Sequence, residues 1–238
     1  MIGAPDSEHG RPDRVLWEFF IDGERIVVYD RPGSRAAQWV AWELERDEYG
    51  LRGMTFADGD VMIDIGAHIG LVSIFLAKRW PGLRILAFEP FPDNHRNCAD
   101  ALAVNSVGNV TLLPMGISAD GRRLSMRANP WNSASATSLD AVGAAGEIVS
   151  LTLDEVFDRW AVERCRLLKI DCEGMEYEIL RGTGVLDRVG RLVGEFHGSR
   201  ALTARGCVPA DLLAHCSRFF DDDHLAVQFN DLDVTAPT

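Results

Sequence analysis

The sequence of 238 residues contains no long hydrophobic run, no closely paired cysteines and very little lysine. No apolar stretch reaches the roughly 18 to 20 residues that a membrane-spanning helix requires, and the first residues have no apolar core like that of a secretory signal peptide. The five cysteines are odd in number and form no C-x-x-C pair, so they predict reduced thiols and argue against a disulfide framework or a zinc site. We therefore expect a cytoplasmic protein with no membrane partner.

Positive charge is scarce as well. Lys and Arg number 24 against 36 Asp and Glu, which gives a formal net charge of −12. Nucleic-acid affinity depends largely on clustered Lys and Arg, so this balance argues against a nucleic-acid partner and favours small-molecule chemistry. Only two basic residues are lysine, Lys78 and Lys169. Because arginine cannot replace every function of a lysine ammonium group, Lys169 is a candidate for a chemical role.

Short apolar runs alternate with helical segments from residue 60 onward. This alternation is typical of an α/β protein with a Rossmann-like, doubly wound and mostly parallel sheet, for which we expect seven strands. The predicted strands are VMIDI (61–65), RILAFE (84–89), NVTLLPM (109–115), CRLLKID (165–171), RLVGEFH (191–197) and an extended pair near 217–220 and 225–230.

The first 59 residues are predicted to form an appendage to a main domain at 60–238. Two β-prone runs within 15–29 flank Asp22-Gly23, a dipeptide that readily supplies the positive φ angles of a tight hairpin. An exposed edge of this hairpin suggests a homodimer. The amphipathic helix that follows carries Trp39 and Trp42, which we expect to lie in the core.

An irregular region is predicted inside the main domain. The stretch 118–146 is rich in Ser, Ala, Gly and Asn and predicts a long insertion without regular structure. Loops of this length in compact domains are often functional. We expect the part that contains Trp131 and the residues at 133–138 to act as a lid over a bound acceptor molecule.

A glycine-containing loop follows the first strand of the main domain. VMIDI leads into Gly66-Ala67-His68-Ile69-Gly70 and a helix, and the next strand ends in Glu89. Glycines let a ligand approach the backbone, and a carboxylate at the neighbouring strand tip can accept hydrogen bonds from both ribose hydroxyls. An ordinary strand-to-helix turn with an incidental acid is the alternative interpretation.

Two details indicate which nucleotide the loop would bind. A nicotinamide-binding loop would have glycine at position 68 and near position 71, where this chain has His68 and Leu71. Asp64, at the loop entrance, suits the ammonium and sulfonium groups of S-adenosylmethionine better than a diphosphate. The loop therefore favours a methyl donor.

Polar residues mark the ends of two later strands. Lys169 and Asp171 share one strand face, with Glu173 just beyond the strand, and Glu195 and His197 stand in the same relation on the next strand. Ligands of open α/β sheets gather outside the carboxyl ends of the strands. If these two strands are neighbours, the five side chains converge beside the cofactor.

Methyl transfer to oxygen requires an aligned hydroxyl group and a base for its proton. His197 is the first candidate for that base because imidazole titrates near neutral pH, and Glu173 or Asp171 would orient it or replace it. Lys169 would lower the pKa of the reacting oxygen. Two other interpretations stay open: a structural ion network, or a Mg²⁺ site formed by Asp171, Glu173, Glu195 and His197.

Four motifs in the same order resemble the FkbM-type methyltransferases, a branch of the class I S-adenosylmethionine-dependent enzymes. They are DIGAHIG (64–70), AFEPFPDN (87–94), TLDEV (152–156) and LKIDCEGMEYEILRG (168–182). The resemblance covers roughly residues 48–198, and KIDCEG is its most specific part. The chain departs from the family at His68, where asparagine is usual, and at Cys172, where an aliphatic residue is usual.

The resemblance implies a set of cofactor-binding residues. Asp64, Gly66 and Gly70, with His68 between them, would form the methionine side of an S-adenosylmethionine pocket, and Glu89 would bind the ribose. Asn105, together with Met115 and Gly116 in the turn at 115–118, would approach the adenine. For Asn105 the alternative interpretation is the C-cap of the helix that precedes it.

The resemblance also implies an O-methyltransferase that acts on a hydroxyl group of a small metabolite, such as a sugar, a polyketide or another specialised product. N- or C-methylation is the alternative within the fold. A nicotinamide-dependent oxidoreductase and a catalytically silent binding protein are the alternatives outside it.

Overall fold

The computed structural model describes residues 13–128, 136–138 and 147–233. The elements alternate between strands and helices through most of the chain, as the hydrophobic pattern predicts. In chain order they are β1 (Val15–Ile21), β2 (Glu24–Asp30), α1 (Ala36–Glu45), β3 (Val61–Ile65), α2 (Leu71–Arg79), β4 (Arg84–Phe88), α3 (Pro92–Val104), β5 (Val110–Leu113), β6 (Gly116–Ile117), β7 (Leu124–Ala128), β8 (Ala136–Ser138), β9 (Glu147–Ile148), β10 (Ser150–Leu151), α4 (Leu153–Arg159), β11 (Leu167–Ile170), α5 (Glu176–Gly182), a 3-10 turn (Leu186–Arg188), β12 (Leu192–Gly198), α6 (Arg200–Ala204), α7 (Pro209–Cys216) and β13 (Leu225–Asp231).

The central sheet has six strands in the order β13-β12-β11-β3-β4-β5, and every neighbouring pair is parallel. Strands β3 and β11 are buried along their whole length, as expected for parallel strands covered by helices on both faces. The α/β prediction is confirmed, but the count of seven strands is wrong. The segment 217–220 continues from the end of α7 as a turn, in which Phe219 and Phe220 both donate backbone hydrogen bonds to the Cys216 carbonyl.

The N-terminal hairpin forms as predicted. β1 and β2 pair in antiparallel register around Asp22 and Gly23, whose φ angles of 48° and 87° are those of a tight two-residue turn. The inner face of the hairpin is buried in the same hydrophobic cluster as residues of α2 and β4. The hairpin therefore shares a core with the central sheet.

Asn105 links this hairpin to the end of α3. Its side-chain oxygen accepts a hydrogen bond from the Val27 backbone N–H at 3.0 Å, and its amide nitrogen donates to the carbonyls of Val27 at 2.6 Å and Ala101 at 2.7 Å. The predicted contact of Asn105 with adenine does not fit this position, because the amide group is occupied beneath the hairpin.

Replacing Asn105 with alanine is expected to lower the free energy of unfolding by about 1 to 3 kcal/mol, because it leaves the buried backbone groups of Val27 without partners. Urea unfolding of the two proteins measures this difference. Affinity for S-adenosylhomocysteine should stay within about twofold, which corresponds to a few tenths of a kcal/mol in binding free energy. Unchanged stability with a large loss of affinity would contradict the structural role and restore the adenine contact.

Helix α1 departs from the prediction that its tryptophans are core residues. Trp39 and Trp42 are 57% and 39% exposed. Their rings are arranged edge to face, with the ring centroids 6.2 Å apart. The buried side of the helix consists of Ala37, Ala41 and Leu44. Small residues let the helix approach the core closely, so the two large rings are left on the outer side.

The predicted irregular insertion at 118–146 is partly regular. β7 pairs in antiparallel fashion with β8 and with β9, and β6 pairs in parallel with β10. Trp131 and the residues at 133–135 lie outside the described residues, and so does the lid prediction that depends on them. No helix in the described part of the chain is both long and apolar enough to cross a membrane.

Candidate functional site

A pocket opens at the carboxyl ends of β3, β4 and β11. It is lined by the loop after β3, by Glu89 after β4 and by Asp171 and Glu173 after β11. The empty space between the lining residues, including the solvent at the open mouth, is about 850 Å³. Val40 of α1 and Tyr49 form part of the wall, so the segment before β3 also contributes to the pocket.

The loop after β3 depends on Gly66. Its φ angle is +81°, and a Cβ atom at this position would lie 1.8 Å from the Asp171 carbonyl oxygen. The backbone N–H groups of Gly66 and Ala67 both donate to the Phe88 carbonyl at 3.0 Å. The loop is thus fixed to the neighbouring strand ends, with its backbone close to any molecule in the pocket.

Gly70 shapes the loop from beneath and does not itself line the pocket. It begins α2 with a φ angle of +86°, and a Cβ atom there would lie 2.6 Å from Cys98 Sγ. It supports the loop from below, whereas Gly66 and His68 line the pocket directly.

Glu89 is 3% exposed and lies at the wall of the pocket. Its two carboxylate oxygens accept hydrogen bonds from the backbone N–H groups of His68 and Phe91, each at 2.8 Å. Burial raises the pKa of Glu89 to about 8, although the two backbone donors oppose the shift. Each oxygen can accept a further hydrogen bond, so the group is suited to a pair of hydroxyls.

Asp64 and Lys169 form an ion pair beneath the loop. Lys169 Nζ lies 3.1 Å from Asp64 Oδ1, 3.8 Å from Asp171 Oδ2, and donates to the Gly66 carbonyl at 2.8 Å. The other Asp64 oxygen accepts from Ser73 Oγ at 2.6 Å. Burial alone would lower the pKa of Lys169, but the two carboxylates outweigh it and hold the pKa above its usual value. Lys169 is therefore a fixed cation.

The predicted adenine end is only partly assembled by the residues proposed for it. Gly116 lines the pocket, whereas Met115 packs against the hydrophobic core and Asn105 lies under the hairpin. Ile117, which belongs to the predicted turn at 115–118, also lines the pocket. Sequence reasoning missed Leu124, which supplies further apolar wall and whose only sequence signal was its apolar character inside a stretch interpreted as irregular.

The reaction end is formed by neighbouring strands, since β11 and β12 pair in parallel register. His197 Nε2 lies 3.8 Å from Asp171 Oδ1, 3.8 Å from Glu173 Oε2 and 3.6 Å from Glu195 Oε2. Its Nδ1 lies 2.8 Å from Glu176 Oε1. The predicted convergence of His197, Asp171, Glu173 and Glu195 is thus present in the structure, with Lys169 on the same side of Asp171.

Glu176 is a residue that sequence reasoning missed. It is fully buried, and its carboxylate accepts backbone hydrogen bonds from Cys172 and Gly174, each at 2.9 Å. Glu173 and Gly174 have φ angles of 58° and 102°, and this turn directs the two N–H groups at Glu176. The glycine at 174 was the available signal, but the direction of the carboxylate depends on the tertiary structure.

The carboxylates determine the charge state of His197. Burial alone would lower its pKa, but Glu176, Asp171 and Glu173 outweigh burial and raise the pKa to about 10. With no other ligand present the ring is therefore an imidazolium at neutral pH and cannot accept the proton of a hydroxyl group. Burial raises the pKa of Glu173 to about 8, and burial together with Asp171 raises that of Glu195.

Helix α1 adds a further acid near this cluster. Tyr49 donates a hydrogen bond to Glu43 Oε2 at 2.8 Å, and Tyr49 lines the pocket. Burial and the nearby Glu195 raise the pKa of Glu43 to about 7. The site thus contains more carboxylates than cations, which favours a ligand with positive charge.

The sequence of the chain matches one protein family, described as the Methyltransferase FkbM domain. The match covers residues 64–205, which is more than half of the chain. It begins at Asp64 and includes Glu89 and both strands of the reaction end. The hairpin and α1 lie outside it.

Several curated proteins are similar to the chain at 27 to 29% sequence identity. The chain is 27% identical over 219 residues to the AMB antimetabolite synthetase AmbE of Pseudomonas aeruginosa, covering 74% of the chain and 10% of that protein. It is 29% identical over 144 residues to the hexuronic acid methyltransferase AglP of Haloferax volcanii, covering 59% and 57%. It is 27% identical over 194 residues to the 31-O-demethyl-FK506 methyltransferase FkbM of Streptomyces tacrolimicus, covering 68% and 75%. The chain thus spans a tenth of the first relative and just over half of the second.

Proposed function

Because the chain belongs to the FkbM methyltransferase family, we propose that it transfers the methyl group of S-adenosylmethionine to a hydroxyl group of a small metabolite. The observation that carries the proposal is one pocket whose wall contains the loop at Gly66, Glu89, Asp171 and Glu173. The loop lies directly against Asp171, so a cofactor bound over the loop and Glu89 would lie beside the acids that follow β11.

The residues present fit S-adenosylmethionine. The missing Cβ of Gly66 lets the loop lie directly against the end of β11 with its backbone at the pocket wall, and Glu89 offers two carboxylate oxygens for the ribose hydroxyls. Ile117 and Leu124 provide an apolar surface for the adenine ring. The cofactor supplies an electrophilic methyl group on a sulfonium centre, whose positive charge suits the acidic end of the pocket.

We assign the proton acceptor to Glu173. It lines the pocket, and its Oε2 atom is buried without a hydrogen-bond partner. Of the two groups Glu173 loses its proton first as the pH rises, because its pKa of about 8 lies below the pKa of about 10 of His197. In the reaction the acceptor oxygen forms a bond to the methyl carbon, the carbon–sulfur bond breaks, and the hydroxyl proton moves to Glu173. S-Adenosylhomocysteine is the second product.

Two relatives support a hydroxylated acceptor. One is named for a hexuronic acid and the other for O-methylation of an FK506 precursor. The cytoplasmic location, the homodimer through the hairpin and the absence of a nucleic-acid partner stay predictions from the sequence.

The first test combines binding and transfer. Calorimetry should detect S-adenosylhomocysteine, and the melting temperature should rise with this ligand and not with NAD. Methyl-labelled S-adenosylmethionine should then label members of a panel of hydroxylated sugars and polyketides. Labelling of amines alone would replace O-methylation with N-methylation. No binding of either adenosyl ligand would overturn the methyltransferase proposal.

Replacing Glu173 with glutamine is expected to lower the turnover number about 10²- to 10⁴-fold, the range for loss of a general base. S-Adenosylhomocysteine affinity should be retained, because the proposed cofactor contacts are with Glu89 and the loop after β3 and do not include Glu173. Asp187→Asn is the matched control, since it removes the same charge from an exposed position. A Glu173→Gln variant with normal turnover would assign the proton to another acceptor.

A further inference from the structure

We propose that Asp171, Glu195 and His197 bind a divalent cation, Mg²⁺ or Mn²⁺, which also holds two neighbouring oxygen atoms of the acceptor. One ligand atom from each residue lies within 4.8 Å of the other two. The functional part of this inference rests on the proposed methyl transfer, whereas the cation site itself does not.

The distances suit an ion better than direct hydrogen bonds. His197 Nε2 is 3.6 Å from Glu195 Oε2 and 3.8 Å from Asp171 Oδ1, longer than an N–H···O hydrogen bond. Ligands of an octahedral ion with bonds of about 2.1 Å are separated by about 3.0 Å when adjacent and about 4.2 Å when opposite. The two observed separations lie between these values, so small side-chain movements would complete the coordination.

The histidine provides evidence that is independent of the acids. The His197 side chain is 1% exposed, and its Nε2 atom points among the carboxylates without a hydrogen bond of normal length. Nδ1 is held by Glu176, which is itself fixed by two backbone N–H groups. Metal-binding histidines have this arrangement, in which a carboxylate binds one ring nitrogen and leaves the other for the ion. Binding of the ion would displace the proton that Nε2 carries in the imidazolium form.

A second outer contact orients another proposed ligand. Asn230 Nδ2 donates to Glu195 Oε2 at 2.9 Å across the β12–β13 pair. A buried carboxylate with a fixed amide donor keeps its remaining lone pairs in a defined direction. Both His197 and Glu195 are therefore held from outside the cluster, and the groups that hold them do not line the pocket.

The donor set indicates the kind of ion. Two carboxylates and one imidazole form an oxygen-rich set, which favours Mg²⁺ or Mn²⁺ over softer metals. Asp171 is 25% exposed and lines the pocket, so the ion would face the acceptor. The open positions would suit a vicinal diol or an α-hydroxy acid, and the ion would lower the pKa of the bound hydroxyl. Glu173 would then take the proton.

The test uses the full chain after EDTA treatment and dialysis. Titration with Mn²⁺, followed by loss of the free-ion EPR signal, should give one bound ion per chain in the presence of S-adenosylhomocysteine. Glu195→Gln and Asp171→Asn should each weaken Mn²⁺ binding at least tenfold, and Asn230→Ala should weaken it about 10- to 100-fold. Asp187→Asn should bind as the parent protein does. S-Adenosylhomocysteine affinity of each variant verifies the fold.

The possible outcomes distinguish failure of the cation site from failure of the proposed methyl transfer. Absence of stoichiometric Mn²⁺ binding, or equal binding by Glu195→Gln and the parent protein, would overturn the site. Mn²⁺ binding without methyl transfer to any acceptor would support the site and remove the proposed function. Methyl transfer to a diol that proceeds equally in EDTA and in Mg²⁺ would overturn the role of the ion in holding the acceptor.

Discussion

Replacing Glu89 with glutamine is expected to weaken S-adenosylhomocysteine binding by about 100-fold or more. Hydrogen bonds to a charged group contribute roughly 1.5 to 3 kcal/mol each, and the ribose would donate two of them. In the glutamine variant the side-chain NH₂ group would face the backbone N–H of either His68 or Phe91. Two donors cannot form a hydrogen bond with each other, so one of the contacts that fix this side chain would be lost. Calorimetric titration of the two proteins measures the loss.

The pH dependence of binding provides a control for this result. Burial raises the pKa of Glu89 to about 8, so a growing fraction of the parent protein carries the carboxylate as the pH rises towards that value. Affinity should therefore increase from pH 6 to pH 8 in the parent protein and stay level in Glu89→Gln. Glu173→Gln should retain the pH dependence of the parent. Equal affinities of Glu89→Gln and the parent would remove Glu89 from the cofactor site.

Replacing Gly66 with alanine is expected to lower the free energy of unfolding by at least about 3 kcal/mol, the sum of left-handed strain and a steric clash. The new Cβ would lie 1.8 Å from the Asp171 carbonyl oxygen, which is backbone at the end of β11 and cannot rotate away. Denaturant unfolding, or a loss of soluble folded protein, measures the effect.

Gly23→Ala is the matched control for this substitution. Gly23 has a φ angle of +87°, close to the +81° of Gly66, but no atom lies within 4 Å of its added Cβ. The control should therefore lose only the roughly 1 to 2 kcal/mol of a left-handed alanine. Equal losses in the two variants would show that the approach of the loop to Asp171 is less close than described.

The parts of the fold that sequence predicts correctly are those with local causes. Asp22-Gly23 determines its own turn, and the Thr152–Glu155 capping box at the start of α4 forms from residues three apart. The strands β3 and β11 are buried along their whole length, and short, nearly continuous apolar runs are enough to predict such strands. The strand predicted at 217–220 is wrong because a short apolar run fits a turn after a helix as well as a strand.

The site is predictable to the extent that strand ends define it. The loop at Gly66, the acid at Glu89 and the cluster around His197 all follow from the rule that ligands gather at the carboxyl ends of parallel strands. The contributions of Glu176 and Tyr49 do not. Both depend on how a helix or an N-terminal segment packs against the sheet, and the charge state of His197 depends on those contacts in turn.

The wall formed by Val40 and Tyr49 has a consequence for protein engineering. These residues precede position 64, where the family match begins, yet they face the same pocket as Glu89. A fragment trimmed to the matched segment would lose this wall of the pocket, the first three residues of β3 and the hairpin that shares a core with the sheet. Exchanging the hairpin and α1 for those of another relative, with the shared core repacked, would change this wall of the pocket while Glu89 and the loop at Gly66 stay as they are. Substrate choice and donor binding could then be redesigned as separate modules of one chain.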